Sequence, residues 1–157
     1  MPEPPAILFV CLGNICRSPL AEAAFRLAAE EAGRAVRADS AGTGDWHVGC
    51  APDPRAQAVA LRHGVDISGY RARQFERADF ARFDAIYALD FDNLAVLRRL
   101  APADARATLG LLLDCVPGWK GRAVADPYHG DAAGFETTWR EVSAAARALV
   151  AGLRDRR

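Results

Sequence analysis

Residues 6–20 have the sequence AILFVCLGNICRSPL. The apolar run at 6–10 is short and rich in strand-forming residues, which is typical of a strand buried on both faces of a parallel sheet. Ser18 followed by Pro19 predicts the start of a helix, with the serine as N-cap and the proline at the first helical position. Apolar residues then recur at helical spacing until Gly33, a typical helix stop. The stretch therefore predicts a strand, a loop and a helix in succession.

The remainder of the chain continues this alternation of strands and helices. Further strands are predicted at 36–40, 83–89 and 108–113, and further helices after Asp53-Pro54, after Asp90 and along an apolar face from Phe135 to Leu153. Strands that alternate with helices imply right-handed βαβ units. We therefore predict a single α/β domain over residues 1–157. Its core is a four-stranded parallel sheet with helices on both faces, of the Rossmann or flavodoxin-like type.

Charge and hydropathy argue against several classes of function. The chain has 157 residues, in which 20 basic and 20 acidic side chains cancel. A zero net charge argues against broad binding to nucleic acid or to a membrane surface, because both require an excess of positive charge. No apolar segment approaches the ~18 uninterrupted residues of a membrane span. Arg71, Arg73 and Arg77 form a small basic patch, which is more typical of a solvated face than of a docking site.

The cysteines and the first residues bear on the compartment. The opening MPEPP has neither a positively charged segment nor a long apolar one, so we expect no signal peptide and a cytoplasmic protein. There the four cysteines, Cys11, Cys16, Cys50 and Cys115, are expected to be mostly reduced. His47 and Cys50 have the spacing of half a zinc site, but no second pair lies nearby. We expect no metal, no cofactor and, by default, a monomer.

The loop at residues 11–18 carries the main chemical signal. It leaves the carboxyl end of the first strand, where open parallel sheets bind their ligands. Backbone N–H groups of a curled loop can surround a phosphate, and Gly13 permits either a close approach or a positive φ. Arg17 can hold two phosphate oxygens with its planar fork. The residues expected to bind phosphate or steady the loop are Leu12, Gly13, Asn14, Ile15, Cys16 and Ser18.

Cys11 is the candidate nucleophile of this loop. Concentrated N–H dipoles, a helix N-terminus and Arg17 all favour its thiolate, which would lie beneath the phosphorus atom for in-line attack. Ser18 could also donate a hydrogen bond to the Cys11 sulfur and help the thiolate leave. The simpler alternative is a buried structural cysteine before a well-capped helix. A Cys and an Arg five residues apart are common by chance, but the full string in its strand-loop-helix context favours the phosphate loop.

The string CLGNICRSP at residues 11–19 resembles the signature of the low-molecular-weight protein tyrosine phosphatases. The likeness extends over almost the whole chain, through SAGT at 40–43 and DPY at 126–128. It implies hydrolysis of phosphotyrosine or a small aryl phosphate through a cysteinyl-phosphate intermediate, with inorganic phosphate as product. In that reaction Cys11 is the nucleophile, Arg17 is the phosphate clamp and Asp126 is the general acid. On the sequence alone, Asp126 is equally well explained as an ordinary turn residue before Pro127.

The resemblance also implies roles for residues outside the loop. Trp46 and Tyr128 match rim positions, where they would form a deep pocket suited to an aryl phosphate and too deep for phosphoserine. Without the resemblance, each is more typical of a partly buried loop anchor than of a ligand wall. His129 stands where many members have a second tyrosine. Ser40 and His63 match supporting positions that hydrogen-bond with Asn14.

Cys16 has two compatible interpretations. Five positions after Cys11 in a tight curl, it could form a disulfide with Cys11 on oxidation and protect the nucleophile from irreversible damage. It could also be a small buried packing residue.

Three alternative functions remain open at this point. A thioredoxin-coupled arsenate reductase shares the fold, but it needs two further cysteines, and residues 80–90 contain none. A protein-arginine phosphatase of the same superfamily typically has threonine after the asparagine, whereas this chain has Ile15. A phosphate-binding module without turnover is disfavoured by the joint presence of Cys11, Arg17 and Asp126. Cys11→Ser would abolish turnover only in an enzyme.

Overall fold

Four parallel strands form one sheet in the order β2-β1-β3-β4, in a computed structural model that describes residues 3–153. The strands are β1 (Ala6–Cys11), β2 (Arg37–Gly42), β3 (Ala85–Ala88) and β4 (Thr108–Leu111). The helices are α1 (Arg17–Glu31), α2 (Pro54–Arg62), α3 (Asp79–Arg82), α4 (Phe91–Leu100) and α5 (Ala132–Ala151), with a 3₁₀ turn at Leu112–Cys115. The predicted α/β fold with a four-stranded parallel sheet is confirmed. Residues 1–2 and 154–157 of the predicted domain lie outside the described residues.

The central strand β1 is buried on both faces, as its uninterrupted apolar sequence predicts. Ile7 and Phe9 face a cluster that includes residues of α1, α2 and α5, whereas Leu8 and Val10 face a second cluster with residues of α3 and α4. This alternation places helices on both sides of the sheet. It also fixes the carboxyl end of β1, and therefore Cys11, between two packed layers. Across the described part of the chain, none of the helices combines the length and apolarity needed to cross a membrane.

The predicted capping role of Ser18 is wrong. Helix α1 begins at Arg17, and Cys16 occupies the N-cap position without a side-chain capping bond. Ser18 is fully buried, and its hydroxyl contacts the Cys11 sulfur and the side-chain amide of Asn14. These tertiary contacts occupy the hydroxyl that a local rule assigns to the backbone N–H groups of the helix.

Other element boundaries also differ from the prediction. Strand β4 ends at Leu111, and residues 112–115 form the 3₁₀ turn instead of extending the strand. Helix α3 was not predicted, because four residues are too few to show a helical period. Helix α5 ends at Ala151, with Gly152 at its C-cap, so Leu153 lies beyond the helix.

Candidate active site

The loop between β1 and α1 curls around the Cys11 sulfur. The backbone N–H of Asn14 donates to Cys11 Sγ at 3.3 Å, and the Ser18 hydroxyl lies 3.0 Å from the same atom. Asn14 adopts a positive φ of 58°, which asparagine tolerates better than most residues. Both groups are placed to stabilise negative charge that develops on the sulfur during a reaction.

Two glycines allow the close approach of neighbouring segments to this loop. A Cβ on Gly13 would lie 3.0 Å from Cδ2 of His47, so the absent side chain makes room for the loop that carries His47. A Cβ on Gly42, at the end of β2, would lie 2.7 Å from the carbonyl oxygen of Leu12. Gly13 therefore serves close approach, and the positive φ belongs to Asn14.

A cavity of about 210 Å³ opens above Cys11. The structure brings together there most of the predicted catalytic and rim residues, and it adds His47. Its lining residues are Cys11, Leu12, Gly13, Ile15, Cys16, Arg17, Trp46, His47, Asp126, Tyr128 and His129. Trp46 is 69% exposed and Tyr128 is 41% exposed, so neither ring is a buried loop anchor. Their exposure fits a rim that contacts a ligand.

Arg17 is buried and held from behind by Asp90. Its Nη1 donates to Asp90 Oδ2 at 2.7 Å and to the carbonyl oxygen of Val124 at 3.0 Å, while Nη2 lies 3.6 Å from Asp126 Oδ2. Burial would lower the pKa of Arg17, but the negative charges of Cys11 and Asp90 outweigh it and the pKa is raised. The guanidinium is therefore a fixed positive charge at the cavity floor.

Asp90 is a functional residue that sequence reasoning missed. The sequence indicated it only as a helix start, and it does cap α4, because its Oδ1 accepts the backbone N–H of Asn93 at 2.8 Å. Its second oxygen holds Arg17. The only sequence signal for its contact with Arg17 was its position at the carboxyl end of β3, which the parallel sheet places beside the end of β1.

Asn14 connects the loop to its surroundings through its side-chain amide. Its Nδ2 donates to Ser18 Oγ at 2.7 Å and to Ser40 Oγ at 2.9 Å, and its Oδ1 accepts the backbone N–H of Arg73 at 3.0 Å. The predicted hydrogen bond between Ser40 and Asn14 is therefore present. Ser40 in turn donates to Glu22 at 2.9 Å, which extends the network to a buried carboxylate.

The predicted hydrogen bond between His63 and Asn14 is wrong. His63 Nε2 lies 2.7 Å from Glu136 Oε1, and the imidazole stacks on Trp139 with ring centroids 5.1 Å apart. His63 caps the C-terminal end of α2, where that helix packs on α5. It is the other end of α2 that faces the phosphate loop, because the backbone N–H of Asp53 donates to the carbonyl of Ile15 at 2.9 Å.

Glu22 gives this network a pH dependence in stability. Burial raises its pKa from the ordinary 4.5, although Arg26 and Ser40 partly oppose the shift and Asp39 adds to it. The folded state therefore holds the proton more tightly than the unfolded state, and stability falls as the pH rises from about 4.5 through the raised value. Because glutamine does not ionise, we expect the stability of Glu22→Gln not to show this decline with rising pH.

Urea unfolding measured across that pH range tests the expectation. The stability of Glu22→Gln relative to wild type should rise with pH and then level off. Glu30→Gln, at an exposed position of the same helix, is the matched control and should follow the wild type. A constant difference between Glu22→Gln and wild type at every pH would contradict the assignment.

Cys16 and Asp126 flank the reactive sulfur differently. Burial, and then the charge of Asp53, raise the pKa of the Cys16 thiol, so it stays protonated. Asp126 is partly exposed, and its Oδ1 accepts the backbone N–H of Tyr128 at 3.0 Å. Among the described residues, no group of three or more His, Cys, Asp or Glu side chains is placed to hold a metal ion.

The geometry defines a class of enzyme. A thiol that accepts two hydrogen bonds beside a buried, permanently charged arginine can attack a bound phosphate. A carboxyl group on the opposite wall can supply the proton that the leaving group needs. These are the parts of a cysteine-dependent phosphatase.

Comparison with known proteins identifies the family. The chain matches the model for the low molecular weight phosphotyrosine protein phosphatases over residues 6–157. It is 47% identical over 154 residues to a low molecular weight protein-tyrosine-phosphatase of Streptomyces coelicolor, covering 95% of this chain and 93% of the relative. A Schizosaccharomyces pombe phosphatase of the same description is 45% identical over 132 residues, 82% of this chain and 84% of the relative. The chain belongs to this family and is a protein tyrosine phosphatase, a hydrolase.

Solved structures agree with this membership. The crystal structure of Primo-1 superposes with a TM-score of 0.87 at 42% identity, covering 92% of this chain and 95% of that chain. A drosophila structure described as an arginine phosphatase superposes with a TM-score of 0.85 at 29% identity, covering 90% and 93%. Because both kinds of protein share the fold, the preferred leaving group must be argued from the site.

Proposed function

We propose that the chain hydrolyses phosphotyrosine in two steps through a phosphocysteine on Cys11. The observation that carries this mechanism is that Cys11, Arg17 and Asp126 line one cavity, with the sulfur already accepting two hydrogen bonds. The backbone N–H groups of the loop and Arg17 bind the three outer oxygens of the phosphate. The phosphorus atom then lies above the sulfur, in line with the ester bond.

In the first step the Cys11 thiolate attacks phosphorus. An S–P bond forms, the P–O bond to the tyrosine breaks, and Asp126 gives its proton to the departing phenolate. Negative charge spreads over the phosphate oxygens, where Arg17 stabilises it. Asp126 suits this role by its position, because it lies on the cavity wall while remaining partly exposed to solvent.

In the second step water hydrolyses the phosphocysteine. Asp126, now a carboxylate, takes a proton from the attacking water, the S–P bond breaks, and inorganic phosphate is released. The sulfur leaves as a thiolate, and the Ser18 hydroxyl and the Asn14 N–H stabilise that charge. Asn14 and Ser40 act as braces that keep both donors in place.

The walls of the cavity support an aryl phosphate as substrate. Trp46 and Tyr128 offer exposed aromatic faces at the rim, and Ile15 gives the wall an apolar side chain. A phenyl ring can pack against such faces. His129 presents an imidazole at the position expected for a second tyrosine, and His47 adds another. These side chains favour a substrate whose phosphorylated ring is flanked by polar groups.

The setting of the enzyme follows from its chemistry. The mechanism needs Cys11 reduced, which favours the cytoplasm, and a disulfide with the neighbouring Cys16 would stop turnover reversibly. The cancelled charge supports a protein substrate rather than nucleic acid or a lipid surface. We propose a monomeric enzyme of residues 1–157 that needs neither metal nor cofactor.

A substrate panel with acid quenching tests this function. We expect turnover of a phosphotyrosine peptide in the presence of a chelator, at least ~100-fold above phosphoserine and phosphoarginine peptides of the same sequence. Phosphate should be trapped on Cys11 when the reaction is stopped early. Faster turnover of phosphoarginine would support the arginine-phosphatase alternative. Arsenate reduction with thioredoxin, in place of ester hydrolysis, would overturn the proposal.

A further inference from the structure

Arg55 lies near the start of α2, and its guanidinium donates four hydrogen bonds to three residues. Its Nε and Nη2 donate to the two carboxylate oxygens of Asp53 at 3.0 and 2.9 Å. Its Nη1 donates to the carbonyl of Gly130 at 3.0 Å, and Nη2 also donates to the carbonyl of Tyr128 at 2.8 Å. The planar fork satisfies all four contacts together, which the single ammonium of a lysine does not.

The two carbonyls belong to the segment that carries Asp126. Residues 126–131, called here the acid segment, connect the general acid to the N-cap of α5. Within it, Asp126 Oδ1 accepts the N–H of Tyr128 at 3.0 Å, and the Pro127 carbonyl accepts the N–H of Gly130 at 2.9 Å. A contact that fixes the carbonyl of Tyr128 therefore restrains the neighbouring peptide that orients the carboxyl group of Asp126.

Through Asp53, Arg55 is also linked to the phosphate loop. Asp53 caps α2, and its backbone N–H donates to the Ile15 carbonyl at 2.9 Å. The bonds to Arg55 hold the pKa of Asp53 below its ordinary value, which keeps the carboxylate charged for this contact. One ion pair thus links the loop that holds the nucleophile to the segment that holds the acid.

The surroundings of Arg55 hold it in that position. Its guanidinium carbon lies 4.6 Å from the ring centroid of Phe135 and 5.6 Å from that of Tyr128. Arg55 is not among the residues that line the cavity, and four of its five N–H groups donate to Asp53, Tyr128 and Gly130. It is therefore not placed to bind the phosphate itself.

We propose that Arg55 is a positioning residue, which sets the acid segment at the distance from Cys11 that proton transfer to the leaving group requires. This inference rests on the proposed role of Asp126. A displaced acid matters most when the leaving group is a poor one, since a good leaving group departs without the proton. Loss of Arg55 should therefore act on the chemistry in a way that depends on the leaving group.

Kinetics with two aryl phosphates test the inference. For Arg55→Ala we expect kcat/KM, which reports the first chemical step, to fall about tenfold with phenyl phosphate and to change less than about twofold with a dinitrophenyl phosphate. Arg55→Lys should show most of the same loss, because it keeps the charge but not the fork. Asp126→Ala sets the reference, with a fall of about 100-fold in kcat/KM for phenyl phosphate and little change in kcat/KM for the dinitrophenyl phosphate. Arg62→Ala, on the same helix and in an ion pair with partly exposed Glu136, should match the wild type.

Hydrogen exchange separates this inference from the role of Asp126. In Arg55→Ala and Arg55→Lys, the amides of Tyr128 and Gly130 should exchange faster than in the wild type, while those of β1 stay unchanged. Unchanged exchange in the acid segment, or equal losses with both substrates, overturns the role of Arg55. If Asp126→Ala shows no dependence on the leaving group, the proposed acid is wrong, and the exchange result alone decides whether Arg55 holds the segment.

Discussion

Cys11→Ser is expected to lower kcat for an aryl phosphate by roughly 10⁴-fold or more while phosphate still binds. A serine hydroxyl at this position remains neutral, and its oxygen is a far weaker nucleophile than a thiolate. The contacts that would bind phosphate come from the loop backbone and Arg17, and neither depends on sulfur. Serine also suits this position, because its oxygen can accept the hydrogen bonds that Asn14 and Ser18 donate to the Cys11 sulfur.

The measurement pairs turnover with equilibrium binding of inorganic phosphate. Cys11→Ser should bind phosphate within a few-fold of the wild type. The substitution removes a thiolate charge that repels the anion, so it should not weaken binding strongly. Cys50→Ser is the matched control, because that thiol is exposed in the loop after Trp46 and does not line the cavity. It should retain full activity. Appreciable turnover by Cys11→Ser would remove the covalent mechanism, and loss of phosphate binding would show that the loop had collapsed.

The fold was predictable because the decisive signals are local and redundant. The apolar run of β1 requires burial on both faces, and a strand with that burial needs helices above and below it. The capping aspartates Asp53 and Asp90 mark the starts of α2 and α4 in the sequence and in the structure. The short helix α3 and the 3₁₀ turn were missed, because fewer than five residues carry no period to detect.

From side-chain chemistry alone, the site was predictable only where its residues are contiguous, whereas Trp46, Asp126 and Tyr128 were predicted from the family resemblance. Residues 11–17 indicate a phosphate loop by themselves, whereas the sequence predicted that Arg73 belongs to a solvated basic patch. In the structure its guanidinium pairs with Asp39 and with buried Asp79, and its backbone N–H holds Asn14. Each of those partners lies at least six positions away in the chain, so no local pattern relates them. The sequence shows side-chain types, but the partners are chosen by the packing.

Two wrong predictions have different origins. Ser18 was assigned by a local capping rule, and His63 by likeness to a family position. In the folded protein each side chain bonds the nearest tertiary partner, Cys11 in one case and Glu136 in the other. For Ser18, a hydrogen bond in a buried site is worth more than one to a helix end, because an unpaired buried group is costly. The contact between His63 and Glu136 is solvent-exposed, so burial does not explain it, and the likeness had placed this histidine at the wrong family position. Local rules therefore fail where burial supplies a competing partner.

Arg17→Lys is expected to lower kcat/KM for an aryl phosphate by about 10³-fold, close to the loss on removing a strong transition-state donor. The guanidinium uses Nη1 for Asp90 and the Val124 carbonyl, which leaves its other N–H groups for phosphate oxygens. A lysine ammonium is a single point of charge. If the ammonium lies beside Asp90, it pairs with that partly buried carboxylate and does not bind the phosphate. Beside the phosphate it leaves Asp90 charged and unpaired.

Steady-state kinetics, phosphate binding and urea unfolding together distinguish these two outcomes. If the lysine pairs with Asp90, stability stays near that of the wild type while phosphate binding and kcat/KM both fall. If it turns to the phosphate, binding survives and stability falls, because the partly buried carboxylate of Asp90 loses its partner. Arg62→Lys, in a largely exposed ion pair with Glu136, is the control and should change neither property. Near-normal kcat/KM in Arg17→Lys would mean that charge alone suffices, and that the planar fork fixed by Asp90 does not stabilise the transition state.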